Sequence, residues 1–168
     1  MTEIYRQMTL YNRWMNERLM ATCSLLSDAD RKQNRGAPFG SIHGLWNHIL
    51  LADRLWLSRF EGAGGRFLAP PVATLGDELF SDWEELKVER ARTDDGIDGY
   101  VASLTDEKLA RALRYTSFVN PAPHEVPLSV AVQHFFNHQT HHRGQITALM
   151  EQAGLDCGVT DLLALPKR

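Results

Sequence analysis

Apolar residues recur at three- and four-residue steps through most of the chain, the period of helices that bury one face. From Glu3 to Leu26 the stripe is Ile4, Met8, Tyr11, Met15 and Leu19, and it stops near Ser27, ahead of Gly36, Pro38 and Gly40. A second helix is predicted from Ser41, whose hydroxyl suits an N-cap. It runs through Ile42, Leu45, Ile49, Ala52, Trp56 and Phe60 to the EGAGG stretch at 61–65. A third is predicted to start near Thr74, followed three residues later by Asp77 in a capping-box-like pattern, with Leu79, Trp83 and Leu86 facing inward. Gly96 and Gly99 each weaken a helix interior by ~1 kcal/mol, so the pattern leaves open whether this helix reaches Leu104.

Between Arg111 and Pro127 the helical period fails. RALRYTSF reads as a short strand, NPAP as a turn and HEVP as the returning strand. Pro127 suits a first helical turn, and a fourth helix follows to about Ala153, with Gly154 as its C-terminal cap. The expected fold is all-α: a four-helix bundle with long connections and a short β-hairpin before the last helix, in a single domain over residues 1–168. The connections exceed those of a simple up-down bundle, so some should cross the bundle end.

At 168 residues and 43% hydrophobic, the chain can bury one core. Its net charge of −3 and interspersed charges provide no field for nucleic acid or an anionic membrane, and read as an ordinary solvated surface. Cys23 and Cys157 make no disulfide framework, which suits a reducing compartment. Glu3, Arg6 and Arg13 interrupt the first apolar stretch, so no signal peptide is expected. No run approaches the ~18 apolar residues of a membrane span. The expectation is a cytoplasmic protein that acts on a small molecule.

Seven histidines change the picture, because His134, His138, His141 and His142 are crowded together. The fourth helix's stripe reads Leu128, Ala131, Phe135, then Ile146 (or Gln145), Leu149 and Ala153, and His138 and His142 fill its missing steps. Four residues apart, they share a face on adjacent turns and can reach a common point. A lone histidine on an apolar face is usually a core residue with one hydrogen bond. Two in register are harder to explain so, since four ring nitrogens then need partners in a dry place. His48 falls on the inner row of the second helix with Leu45, Ala52 and Leu55, and a third inward imidazole favours a metal. Three neutral imidazoles suit zinc, nickel, cobalt or iron(II), with zinc or nickel first, and leave positions for water or substrate.

Other triples use His134 with His138, or His138 with His141, but His134 and His141 read as peripheral, and His43 and His124 as surface residues. Asn47, Asp53, Arg143 and Gln145 are candidates to orient ligands or bind substrate, set against the commoner role of helix-surface or interhelical hydrogen bonding. Trp14, Trp46, Trp56 and Trp83 read as packing residues. Cys157 reads as a buried small residue rather than a reactive thiol.

SIHGLWNHILLADRLWLSRF and HFFNHQTHHRGQITALMEQAG resemble the two hallmark segments of the DinB/YfiT-like family of metalloenzymes, and DCGVTDLL is similar to its usual ending. The resemblance implies a four-helix bundle with a three-histidine metal site, the ligands carried over by position being His48, His138 and His142. Better-understood relatives are transferases or isomerases that use bacillithiol, mycothiol or glutathione, and relatives commonly dimerise. The resemblance thus implies one divalent ion, a low-molecular-weight thiol as co-substrate, small electrophiles as substrates, and a homodimer. The competing function is a non-catalytic, stress-associated metal-binding protein whose ion is structural. A fourth protein ligand would favour that reading. No cysteine or carboxylate lies on the inner rows near the triad, which favours an open site.

Overall fold

The four periodic stretches form long helices, and two short ones lie between them. The computed structural model describes residues 2–62, 65–67, 69–117 and 121–166. In chain order the elements are α1 (Thr2–Cys23), α2 (Asp28–Lys32), α3 (Ile42–Glu61), α4 (Trp83–Ala102), α5 (Asp106–Leu109), β1 (Ala112–Thr116), β2 (Pro123–Pro127) and α6 (Leu128–Gln152). A 3-10 turn, Leu162–Ala164, follows.

Ser41 caps α3 as expected, its hydroxyl accepting the Gly44 N–H. The third long helix departs from expectation. It begins at Trp83 rather than near Thr74, with the Asp82 carboxylate accepting the Glu85 N–H. Asp77 instead accepts the N–H groups of Ala73 and Thr74 and the Thr74 hydroxyl, closing a local turn. Such side-chain bonds offer the backbone an alternative to the helix. Further on, α4 continues through both glycines. Gly96 is required there, because an added Cβ would lie 2.1 Å from the Phe67 ring.

The hairpin is antiparallel, pairing Ala112 with Pro127 through to Thr116 with Pro123. Phe118 of the expected strand and Asn120 of the expected turn lie outside the described residues, as do Ala63 and Gly64 of EGAGG. α2 and α5 are too short to show a period. Their signature is in their caps: Ser27 accepts the Asp30 N–H, and Thr105 the Lys108 N–H.

Contacts between side chains fix the topology. α1 packs on α4 and α6, and α3 packs on α4 and α6, leaving α1 diagonal to α3 and α4 diagonal to α6. Tyr5 lies by Phe136 and Cys23 by Met150, so α1 and α6 run in parallel. His43 lies by Trp83 and Phe60 by Tyr100, so α3 and α4 are parallel too. Two parallel neighbours need a connection that returns the length of the bundle. The segment joining α3 to α4 supplies it, and residues 69–82 pass as a strap over the start of α3.

The core falls into two apolar clusters. One gathers Met15, Leu19, Trp46, Ile49, Leu50 and Leu149. The other gathers Leu57, Phe67, Ile97, Val132, Phe135 and Phe136. Between them lies a buried polar layer, which bears out interhelical bonding for Asp53 and Arg143 and departs from the solvated surface expected of the other charges at Arg90 and Asp94. Arg90 pairs with Asp53 at 2.5 Å and with Asp94 at 2.9 Å. Asn12 and Asn16 donate to Asp94 and accept from Arg143. All four long helices meet in this network. Among the described residues, no helix is long and apolar enough to cross a membrane.

Candidate metal centre

His48 lies in the second turn of α3, under the strap. Its Nδ1 is 2.8 Å from the Leu75 carbonyl, which can only accept, so the proton belongs on Nδ1 and Nε2 carries a lone pair. Asn47 fixes that carbonyl's surroundings. Its Oδ1 accepts the N–H groups of Leu79 and Phe80 at 2.8 and 2.9 Å, while its Nδ2 donates to the Phe80 carbonyl at 3.1 Å. On α6, His142 Nδ1 stands 2.8 Å from Gln145 Oε1, and the Gln145 amide nitrogen faces His141 Nε2 at 3.2 Å. Again Nδ1 is the donor and Nε2 the open acceptor.

The helical spacing brings His138 and His142 onto one face of α6, opposite His48. The three Nε2 atoms form a near-equilateral triangle with sides of 3.1, 3.1 and 3.3 Å. Donors roughly 2.0–2.1 Å from a shared ion stand about 2.8–3.4 Å apart, between octahedral and tetrahedral angles. The triangle therefore fits. Two of its corners present lone pairs to each other at 3.1 Å, a repulsion that a shared cation relieves. Burial pulls His48 down to about 4 and, with the neighbouring imidazoles, His138 down to about 3. His142 is also lowered, again first by burial. All three are neutral at neutral pH, the state in which imidazole binds metal. Among the described residues these three histidines form the group that could hold an ion.

Phe39 closes one side. Its ring stacks on His48 at 3.7 Å and meets His142 edge-on at 5.7 Å. It holds a left-handed φ of 59°, and Gly44 permits the close approach of its carbonyl, which a Cβ there would meet at 2.1 Å. On another side a cavity of about 250 Å³ opens against His48 and His138, walled by Ala52, Leu55, Trp56, Arg59, Leu75, Tyr115, Ser117 and His134.

The remaining expectations divide. Gln145 orients the His142 ring and Asn47 anchors the segment that carries the Leu75 carbonyl, whereas Asp53 and Arg143 belong to the interhelical network. His134 and His141 lie outside the triad, both exposed, although His134 borders the cavity. His43 is not a surface residue. It is 1% exposed, because the strap folds over it and brings the Phe80 carbonyl to 2.9 Å from its Nε2. His124 is half-buried and stacks on Tyr115 at 5.3 Å rather than standing free. Trp46 and Trp83 are core residues, and Trp56 lines the cavity. Cys157 is buried, its thiol raised by desolvation, and burial pushes Cys23 up to about 12, so neither is an activated thiol. Pattern reasoning missed Phe39, Leu75, Arg59 and Tyr115. Only Phe39, bracketed by Pro38 and Gly40 ahead of a helix cap, carried a signal of unusual backbone.

Known proteins are similar to this chain in sequence and fold. The DinB family model matches residues 1–167. The protein DinB of Bacillus subtilis (strain 168) is 28% identical over 158 residues, covering 90% of this chain and 87% of that protein. The crystal structure of a DinB-like protein from Bacillus cereus ATCC 10987 superposes with a TM-score of 0.61 at 23% identity, covering 88% of this chain and 91% of that one. At that identity the likeness speaks for the fold.

Proposed function

The chain belongs to the DinB family, and from that premise we propose that it is a metal-dependent, thiol-using S-transferase acting on small electrophiles. The observation that carries this reading is the triangle of Nε2 atoms, two of them held as lone-pair donors by hydrogen bonds at Nδ1. The ligands are His48, His138 and His142, and the ion is zinc or nickel. When bound, such an ion lowers the pKa of a coordinated thiol and provides a thiolate at neutral pH.

The chain's own residues supply the rest. The Leu75 carbonyl and Gln145 hold the rings in the binding tautomer. Phe39 excludes water from the His48 face, and Ala52, Leu55 and Trp56 give the cavity an apolar wall for the electrophile. The thiol co-substrate comes from solution, since Cys23 and Cys157 are buried away from the site. A structural ion is the competing reading; the cavity against His48 and His138 favours catalysis. The family resemblance supports a homodimer, and the acidic balance with interspersed charges supports a cytoplasmic protein with a small-molecule partner rather than nucleic acid or a membrane.

Protein purified without a histidine tag or nickel column should contain about one equivalent of metal by elemental analysis, and His142→Ala should contain none. Loaded protein should join a low-molecular-weight thiol to an electrophile, and the metal-free protein should not. Turnover that survives metal removal, or persists in His142→Ala, overturns the reading. One tightly held equivalent with no turnover across a thiol-by-electrophile screen favours the structural ion.

A further inference from the structure

The cavity beside the triad holds one fixed positive charge. Arg59 lies one helical turn beyond Trp56 on α3, and its guanidinium sits 4.7 Å from the Trp56 ring and 4.8 Å from the Tyr115 ring of β1. It donates one long hydrogen bond, 3.4 Å from Nη2 to the Thr116 carbonyl. Three other arginines have acidic partners, Arg13 in Asp95 and Asp98, Arg54 in Glu89, and Arg90 in Asp53 and Asp94, while Arg143 is satisfied by the amide oxygens of Asn12 and Asn16. Arg59 has no carboxylate partner among the described residues, and no acidic side chain lines the cavity. The two rings are themselves 5.3 Å apart and tilted by 60°, so the guanidinium packs beside the pair, and contact with both restrains its planar fork of donors, which suits a carboxylate.

We propose that Arg59 forms an anion subsite beside the histidine triad, so that a molecule taken into this cavity carries a carboxylate that pairs with Arg59 while its reacting end faces His48 and His138. The inference rests on the thiol-transferase reading and names the class of molecule it handles. Burial lowers the Arg59 pKa, with no carboxylate offsetting it, so an arriving carboxylate restores what desolvation costs. His134, neutral and on the same wall, adds no competing negative charge. The cavity of about 250 Å³ limits the ligand to a small one or to one arm of a larger one.

Calorimetric titration of the cobalt(II)-loaded protein with 3-mercaptopropionate and its uncharged isostere 3-mercaptopropionamide tests this. The acid should bind at least about tenfold more tightly, as expected of a partly desolvated charge-assisted pair. Arg59→Gln should abolish the preference, and Arg59→Lys should keep part of it. Butanoate against butanamide separates two sources of the carboxylate. A preference in this pair as well places it on the electrophile, and a preference confined to the thiol pair places it on the co-substrate; either supports the subsite. Acid and amide binding equally well overturns the subsite and leaves the thiol-binding metal standing. A preference unchanged in Arg59→Gln assigns it to the ion and also overturns the subsite. If Arg59 only clamps the hairpin to α3, Arg59→Gln lowers the thermal midpoint and weakens acid and amide alike, which counts against the proposal. Failure of both thiols to bind overturns the thiol reading together with this one.

Discussion

Gln145 acts on the centre without belonging to it. Its Oε1 holds the His142 Nδ1 proton, fixing both the tautomer and the ring angle at one corner of the triangle. Partners of this kind are worth about 10–100-fold in metal affinity. Gln145→Leu is therefore expected to weaken binding by that factor in a competition titration against a chelating dye, while Gln145→Glu retains it. Unchanged affinity for the leucine variant would show that packing alone orients His142. The triad was legible in the sequence because imidazoles at His138 and His142 interrupt an apolar stripe, and His48 interrupts another. Leu75 was illegible for a physical reason: it contributes a backbone carbonyl, a group every residue has, and its side chain says nothing of where that oxygen points.

The strap over residues 69–82 is the element through which the fold reaches the site. Asn47 is its anchor, accepting the N–H groups of Leu79 and Phe80 from a position that is nearly fully buried. Asn47→Ala leaves both donors without that acceptor. An unsatisfied buried donor costs about 1–3 kcal/mol, so unfolding in denaturant should show a loss in that range. Hydrogen exchange should rise in the strap before the long helices, since Asn47 ties the strap and not the bundle. Uniform exchange across both would count against a separately anchored strap. The sequence reading placed a helix start in this segment because Thr74 and Asp77 have cap spacing. Their side chains spend that chemistry on a turn, and Asp82, followed by Glu84 and Glu85, is the stronger start. Cap residues locate a helix only when the segment after them can bury a face, and the strap, whose residues 69–82 are half-buried or exposed, is tied to α3 through its backbone instead.

Across the whole molecule, the least legible feature was the layer of charge between the two apolar clusters. Asp53 and Arg143 were open to interhelical bonding in the sequence, but Arg90 and Asp94 are the residue types of a solvated surface, and nothing in their local spacing announces that they face the bundle axis. Only the packing of four helices shows it, and Gly96 shows why α4 can pack there, since Phe67 fills the space a side chain would take. Two arginines and two aspartates make the layer neutral as a set, so its cost lies in breaking it. Arg90→Met would leave Asp53 and Asp94 buried and unpaired, a change expected to cost about 3–5 kcal/mol. The metal centre should respond differently. Its convergence is set by the strap's Leu75 carbonyl at His48 of α3 and by Gln145 at His142 of α6, neither of which is bonded to Arg90, so the fraction that remains folded should bind metal with wild-type affinity. Thermal unfolding with and without saturating metal separates the two quantities, because the shift on loading measures affinity for the folded state. An equal metal-induced stabilisation in Arg90→Met and wild type, on a lowered baseline, is the expected result. A variant that has lost both stability and metal would mean that the polar layer, and not the strap and Gln145, holds α3 and α6 at the separation the three imidazoles need.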